Sequence, residues 1–357
     1  MAVDRLSFAD LTGVEEPLPS PRGLDPARRV SMADVARRAG VSGQTVSRVV
    51  NASPRVEPAT RARVEAAMAE LGYRPHRAAR ALRTGRTQTI GLLVSTLATV
   101  GNSRMLQAVA DAADSRGYAL TVVTLGADGG VAAAFERLRE QGVDGVVVLN
   151  EASALARDAP APPGLELVVV DAPTDPGMAP PYNVVQSDHH GGALQATAHL
   201  LSLGHRTVHL LAGPQSSFAA AERERGWRLA LADAGAPAPA VVRGDWTAAS
   251  GYASAAGFAA APEVTAVFAA NDQMALGAIR RLSEAGLRVP EDVSVVGFDD
   301  VADAADYRPP LTTIRQDFDA LGERAVAALI GGIEHRQRLV ETVPTSLVVR
   351  ASTAAAA

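Results

Sequence analysis

From residue 87 onward the chain alternates short apolar runs with alanine-rich stretches of helical period, a pattern few folds accept. The apolar runs are TIGLLVS, ALTVVT, GVVVLN, LELVVVD, NVVQSD, TVHLLAG, AVFAAND and VSVVGFDD. Between several of them lie segments such as MLQAVADAADSRG, QATAHLLSLGH and MALGAIRRLSEAG. This alternation is the mark of parallel sheets with helices on both faces. About ten strands are many for one sheet in a body of this length, so two lobes are expected.

Ahead of that body lies a segment of opposite charge. Thirteen arginines between Arg28 and Arg86 face four acids, Asp34, Glu57, Glu65 and Glu70. The segment therefore carries +9 in a chain whose formal total is −5, which leaves −14 for the rest. Clustered cations on an acidic body suit phosphates, because they release condensed counterions from duplex nucleic acid. A basic solvated face has the same charge, so the helix pattern has to decide.

Ser31 is an N-cap for a first helix of about ten residues, with Asp34 placed to reach back to the free amides. Gly40 ends that helix, AGVS makes a short turn, and Ser42 caps a second helix. Around the second helix Val46, Val49 and Val50 share one face, and Gln44 and Arg48, spaced i and i+4, lie opposite. The outward pair matches major-groove chemistry, since glutamine pairs bidentately with adenine and arginine with guanine. Pro58 opens a third helix, on which Val64, Ala67, Met68 and Leu71 form an apolar stripe closed by Gly72. Three short helices around a valine core make a DNA-reading unit.

The runs DVARRAGVSGQTVSRVVN and AAMAELGYRPHRAARAL, with LLAGPQSS, GDW, ANDQMALGAIRRLSEAGLRV, VSVVGFDD and PPLTTIRQDF, resemble bacterial repressors of the lactose/galactose (LacI/GalR) family. The resemblance spans roughly residues 29–350 and is weak between Asn150 and His190, where Gln186 stands in place of an apolar cleft residue. It implies that the second helix enters the major groove, with Gln44 and Arg48 on base edges and Ser42, Thr45 and Ser47 at phosphates. Gly43 departs from it by offering no side chain at the start of that helix. Residues Arg77 to Leu82 are too few for a stable free helix. The resemblance implies that they fold on DNA, with His76, Ala79 and Leu82 at the minor groove and Leu82 as a wedge between base steps. A plain basic linker is the alternative.

The same resemblance implies a periplasmic-binding-protein-like body of two lobes, crossed near residues 185, 316 and 343. Expected limits are a disordered extension over 1–28, the helix-turn-helix domain over 29–74 and a hinge over 75–86. A sugar-binding and dimerisation domain follows over 87–350, then a tail over 351–357. The first lobe takes 87–185 and 317–342, and the second 186–316 and 343–350. Ligands of open parallel sheets bind beyond the strands' carboxyl ends. There the chain places Ser95, Asp171, Asn271, Asp272, Asp299 and Asp300. Arg223, at the start of a helix, and Trp246 are expected to face the same cleft, and Gln316 and Phe318 to line it near the hinge. Carboxylates, an amide and a guanidinium recognise vicinal hydroxyls, and an indole face covers the C–H patch of a sugar ring. Each has a plainer role as well: Asn271 as a helix cap, Arg223 in a surface ion pair with Glu222 or Glu224, and Trp227 in packing.

The expected protein is a dimeric repressor of carbohydrate-utilisation genes, released from a palindromic operator by a sugar, with a β-galactoside as first candidate. A co-repressor ligand, or a transport-type sugar-binding protein without nucleic acid, are the readings left beside it. No cysteine is present, which removes disulfides and thiolate chemistry and fits a cytoplasmic chain. No apolar run suggests a membrane span or a signal peptide, and no C-terminal leucine heptads suggest a tetramerising helix. Motifs of hydrolases and nucleotide-binding enzymes are missing. His189 and His190 are adjacent and so point apart, and His205 and His209 are four apart but His209 reads as strand, which defeats helical metal-ligand spacing. Neither an enzyme nor a cofactor is expected.

Overall fold

The computed structural model describes residues 30–51, 53–73, 85–125, 130–149, 163–174, 181–335 and 338–356. The chain forms two compact units that divide between Leu82 and Arg83. In the first, α1 (Met32–Ala39), α2 (Gly43–Val50) and α3 (Pro58–Glu70) close around Val35, Val46 and Val64, all fully buried, with Val49, Ala67 and Tyr73 beside them. The local signals act as expected. Ser31 and Asp34 form a reciprocal capping box, so α1 spends one side chain on each of two orphan amides. Gly40 then reverses the chain at φ 64°, a left-handed conformation that costs glycine nothing. Helix α1 has 8 residues against an expected length of about ten, because Ser31 and Gly40 stand outside it as its caps.

The second unit holds two sheets of 6 strands each. The first lobe is built from β1 (Thr89–Val94), β2 (Ala119–Thr124), β3 (Gly145–Leu149), β4 (Glu166–Val170), β5 (Asn183–Ser187) and β11 (Val340–Val343). Their order is β11-β5-β4-β3-β1-β2, every pairing parallel. The second lobe is built from β6 (His209–Ala212), β7 (Val242–Arg243), β8 (Ala266–Ala269), β9 (Ser294–Asp299), β10 (Thr312–Arg315) and β12 (Ser346–Val348). Their order is β12-β10-β9-β8-β6-β7, and here β12 runs antiparallel at the edge, a departure from the all-parallel expectation. A two-residue link from β11 in the other sheet delivers β12, so no crossover helix of its own lobe precedes it to make it parallel.

Helices α4 (Val100–Ser115), α5 (Val131–Glu140) and α10 (Phe318–His335) cover the first sheet. Helices α6 (His189–Ser202), α7 (Phe218–Asp233), α8 (Ala248–Ala259) and α9 (Asp272–Glu284) cover the second. The chain thus passes between lobes after β5, after β10 and between β11 and β12. Residues 351–356 lie along the second lobe: Ser352, fully buried, donates to the Val295 carbonyl and accepts from the Thr312 amide, and the Ala356 amide donates to the Leu203 carbonyl. Among the described residues no helix is long and apolar enough to cross a membrane, and no cluster of three potential ligands could hold a metal.

Candidate functional site

Both sheets have their switch point, where strand order reverses, next to the first strand laid down, and their carboxyl ends face a common cleft. That cleft opens to solvent and spans about 540 Å³, solvent-side space included. The first lobe lines it with Thr99, Asn102 and Met105 from α4 and its cap, Asp171 beyond β4, and Phe318 and Leu321 from α10. From the second lobe come His189, Ser217, Arg223, Trp246, Asn271 and Asp299, and Gln316 comes from the crossing itself.

Arg223 organises the second lobe's side. It lies within α7, between one and two turns past the Ser217 cap rather than at the helix start, and is 4% exposed. Its guanidinium donates to the Ala270 carbonyl, sits 3.4 Å from Asp299 Oδ1 and lies over the Phe298 ring at 3.7 Å. The surface ion pair with its sequence neighbours does not form, because Glu222 pairs with Arg225, and Glu224 with Arg228 and Arg243. Burial pulls the Arg223 pKa below its usual value, and the Asp299, Asp171 and Asp272 charges oppose that pull. Asp299 is pushed up by burial, against the stabilising Arg223 charge and a hydrogen bond from Gln316 Nε2 of 2.6 Å. Asp272, fully buried behind it, is pushed well above the usual carboxylate range by desolvation and by Asp299. Asp272 accepts from Thr313 Oγ1 and the Val301 amide, which makes it a structural brace and not a cleft residue.

Three cleft residues sit in the left-handed region: Asp171 at φ 57°, Trp246 at φ 76° and Asp299 at φ 119°. Residues other than glycine hold such angles only where their surroundings over-determine them, and they concentrate at functional sites. The neighbour Asp300, at φ 54°, is held by Arg315 at 2.7 Å and Arg350 at 2.6 Å. The far end of the Trp246 indole packs against Gly213, where a Cβ would stand 2.2 Å from it, so only glycine admits it. Asn271 caps α9 through the Met274 amide and also donates to the Trp246 carbonyl, so capping and site-building coincide.

Asp171, Arg223, Trp246, Asn271, Asp299, Gln316 and Phe318 therefore meet in one cleft. Ser95 does not: it is half-buried past β1 and absent from the lining, and the turn it opens hands that place to Thr99 and Asn102. Gln186 lies outside the lining too, donating to Thr342 Oγ1 across β5 and β11. Sequence reasoning overlooked Thr99, Asn102 and Met105, whose i, i+3 and i+6 spacing on an N-capped helix was the available signal, and it considered His189 only as a metal ligand. Trp227 packs as expected, fully buried and donating to the Val208 carbonyl.

In the first unit Ser42 caps α2 through the Thr45 amide, and its Oγ lies 3.0 Å from Thr45 Oγ1. Ser47 is engaged by Asn51 Nδ2. Gln44 and Arg48 are exposed, and neither side chain is tied to another residue of the described chain. His76, Ala79 and Leu82 lie outside the described residues.

Residues 31–76 match the model for bacterial regulatory proteins of the lacI family, and residues 197–353 match a periplasmic binding protein-like domain. The lactose operon repressor of Escherichia coli (strain K12) is 40% identical over 336 residues, covering 91% of each chain. The chain belongs to the LacI family of bacterial regulatory proteins. A crystal structure of the lac repressor dimer bound to operator and the anti-inducer ONPF superposes with a TM-score of 0.80 at 38% identity, over 92% of this chain and 100% of that one. The transcriptional regulator CelR in complex with cellobiose superposes at 0.69 and 36% identity, over 91% of this chain and 100% of that one. This LacI-family chain is a DNA-binding transcription regulator, and it is not an enzyme.

Proposed function

We propose that the protein is a dimeric repressor of carbohydrate-utilisation genes, released from a palindromic operator when a neutral sugar fills the cleft. One observation carries the reading: the buried side chains of Asp171, Arg223, Asn271 and Asp299 line one cleft together with the partly buried Trp246 indole. Those groups accept from and donate to vicinal hydroxyls while the indole covers an apolar ring face. A β-galactoside is the first candidate, and the neighbour solved with cellobiose makes β-linked glucose disaccharides the next.

On the DNA side the reading assigns base edges to Gln44 and Arg48 and phosphates to Ser42, Thr45 and Ser47. His76, Ala79 and Leu82 go to the minor groove. Two-fold pairing of the protein would present two α2 helices to two half-sites. In domain terms, 29–74 reads DNA, 75–86 links, and 87–350 binds sugar and dimerises, in the cytoplasm. Sugar acts by its differential affinity for the DNA-competent and released arrangements.

The test is a melting screen of the purified chain against mono- and disaccharides, followed by gel shifts with the sugars that bind. A sugar at a hundred times its Kd adds about 2.7 kcal/mol of stability. Release of DNA by that sugar supports induction. Tightening would mark a co-repressor, and no response to any sugar would overturn the reading.

A further inference from the structure

His189 is the first residue of α6 and is 2% exposed, wedged in the cleft between Asp171 and Arg223. Its ring is fixed against Phe298, with centroids 6.0 Å apart, and edge-on to Phe218 at 6.4 Å. Arg223 Nε and Nη2 lie 3.4 and 3.3 Å from its Nδ1. A guanidinium can only donate, so Nδ1 is the acceptor and the ring proton sits on Nε2. That Nε2 is 3.0 Å from Asp171 Oδ1 but out of line for a hydrogen bond, and it has no hydrogen-bond partner in the described chain. Asp171 Oδ1 itself accepts the Ser187 amide. A buried donor and a buried carboxylate thus face the cleft side by side, each with capacity unused.

The chemistry of the missing partner follows. It must accept from Nε2–H and donate to the carboxylate from the same place. A hydroxyl does both through one atom. An ammonium cannot accept, and a carboxylate or phosphate cannot donate and would be repelled by Asp171. The two residues also belong to different lobes, since Asp171 follows β4 of the first sheet and α6 packs on the second. We propose that His189 is an effector-contacting residue: with Asp171 it clamps a single sugar hydroxyl and so ties the first lobe to the second. This rests on the sugar reading of the cleft and narrows it to an effector with a free hydroxyl at that point. It also makes α6, through its first residue, part of the specificity of the site.

The test uses the full-length protein and calorimetric titration with lactose and with cellobiose, then with monodeoxy derivatives of whichever binds. His189→Phe keeps the ring packing and removes the donor, and it should raise Kd about tenfold. A single monodeoxy sugar should bind the parent protein about tenfold more weakly than its hydroxylated form. That same sugar should show no such penalty on His189→Phe or on Asp171→Asn. His189→Gln, whose amide can accept from Arg223 and donate to the hydroxyl, should recover most of the affinity. If His189→Phe melts far below the parent without sugar, His189→Met gives the same comparison. Unchanged affinity in these variants, or a deoxy penalty that persists in them, overturns the assignment while leaving the sugar reading intact. Failure of every sugar to bind the parent overturns both.

Discussion

Arg223 and Asp299 meet at 3.4 Å with both side chains almost wholly buried, a pair that only the other polar groups of the cleft keep solvated. Removing one partner of such a pair leaves the other charge stranded. Arg223→Ala is therefore expected to cost about 3–5 kcal/mol of stability, because a buried carboxylate loses its counter-charge. It should also abolish the sugar response while operator binding persists at temperatures where the variant stays folded. Denaturant melts and gel shifts with and without sugar check both parts, and a variant that still responds to sugar at normal levels would contradict the cleft assignment.

Gly213→Ala tests the tryptophan seat. A methyl group 2.2 Å from the indole must displace Trp246, since the backbone that carries it directly follows β6. The expected result is a loss of sugar affinity of about tenfold or more with operator affinity unchanged. Tryptophan fluorescence should change with it, because Trp227 is fully buried elsewhere and stays silent. An unchanged titration would show that the indole does not contact the ligand.

Arg48→Ala should cost about 1–3 kcal/mol of discrimination at one base pair of the operator. Ser31→Ala, by contrast, removes half of the capping box and should lower the stability of the first unit by about 1 kcal/mol without changing sequence preference. Binding to a panel of single-substituted operators separates the two. Equal preference before and after Arg48→Ala would remove that side chain from base reading.

Asp272 gives a pH test with a defined sign. Its folded pKa is raised well above 3.8 by burial, so the folded protein keeps a proton that the unfolded chain has lost. Its contribution to stability is thus greatest at and below the unfolded value. It falls as pH rises through the folded value, at up to about 1.4 kcal/mol per pH unit. Asp272→Asn removes that dependence, so the variant should gain on the parent as pH is raised from the ordinary carboxylate range toward neutral. Urea melts across that range decide it, and a constant difference would mean that Asp272 titrates normally.

Ser352→Ala probes the segment along the second lobe. It strips a buried carbonyl and a buried amide of one partner each, which costs about 1–3 kcal/mol per unsatisfied group. A melting temperature equal to the parent's would show that the segment does not brace the lobe.

Much of this was legible from residue order. Ser31, Gly40, Ser42 and Pro58 act through their immediate neighbours, so local chemistry alone placed the three helices of the first unit. Asp171, Asn271 and Asp299 each end an apolar strand, and a parallel sheet sends such ends to one side. Ser95 obeys the same rule but fails, because five residues of turn separate β1 from α4 and the cleft is lined from the helix. Strands β7, β10, β11 and β12 read VR, TTIR, VETV and SLV, short and without the unbroken apolar run that marks β6 and β8. His189 was passed over since its meaning lies in Arg223 and Asp171, respectively 34 and 18 residues away along the chain, and only folding sets them around one ring.

The three crossings between lobes have a consequence for how the protein is made. The first unit's core is complete once Tyr73 has emerged from the ribosome. Neither sheet can seat its outer strand before residues 340–348 are synthesised, since β11 and β12 come last. During translation the first unit is therefore finished while both lobes of the second still expose open sheet edges. Dependence on chaperones should concentrate in that interval.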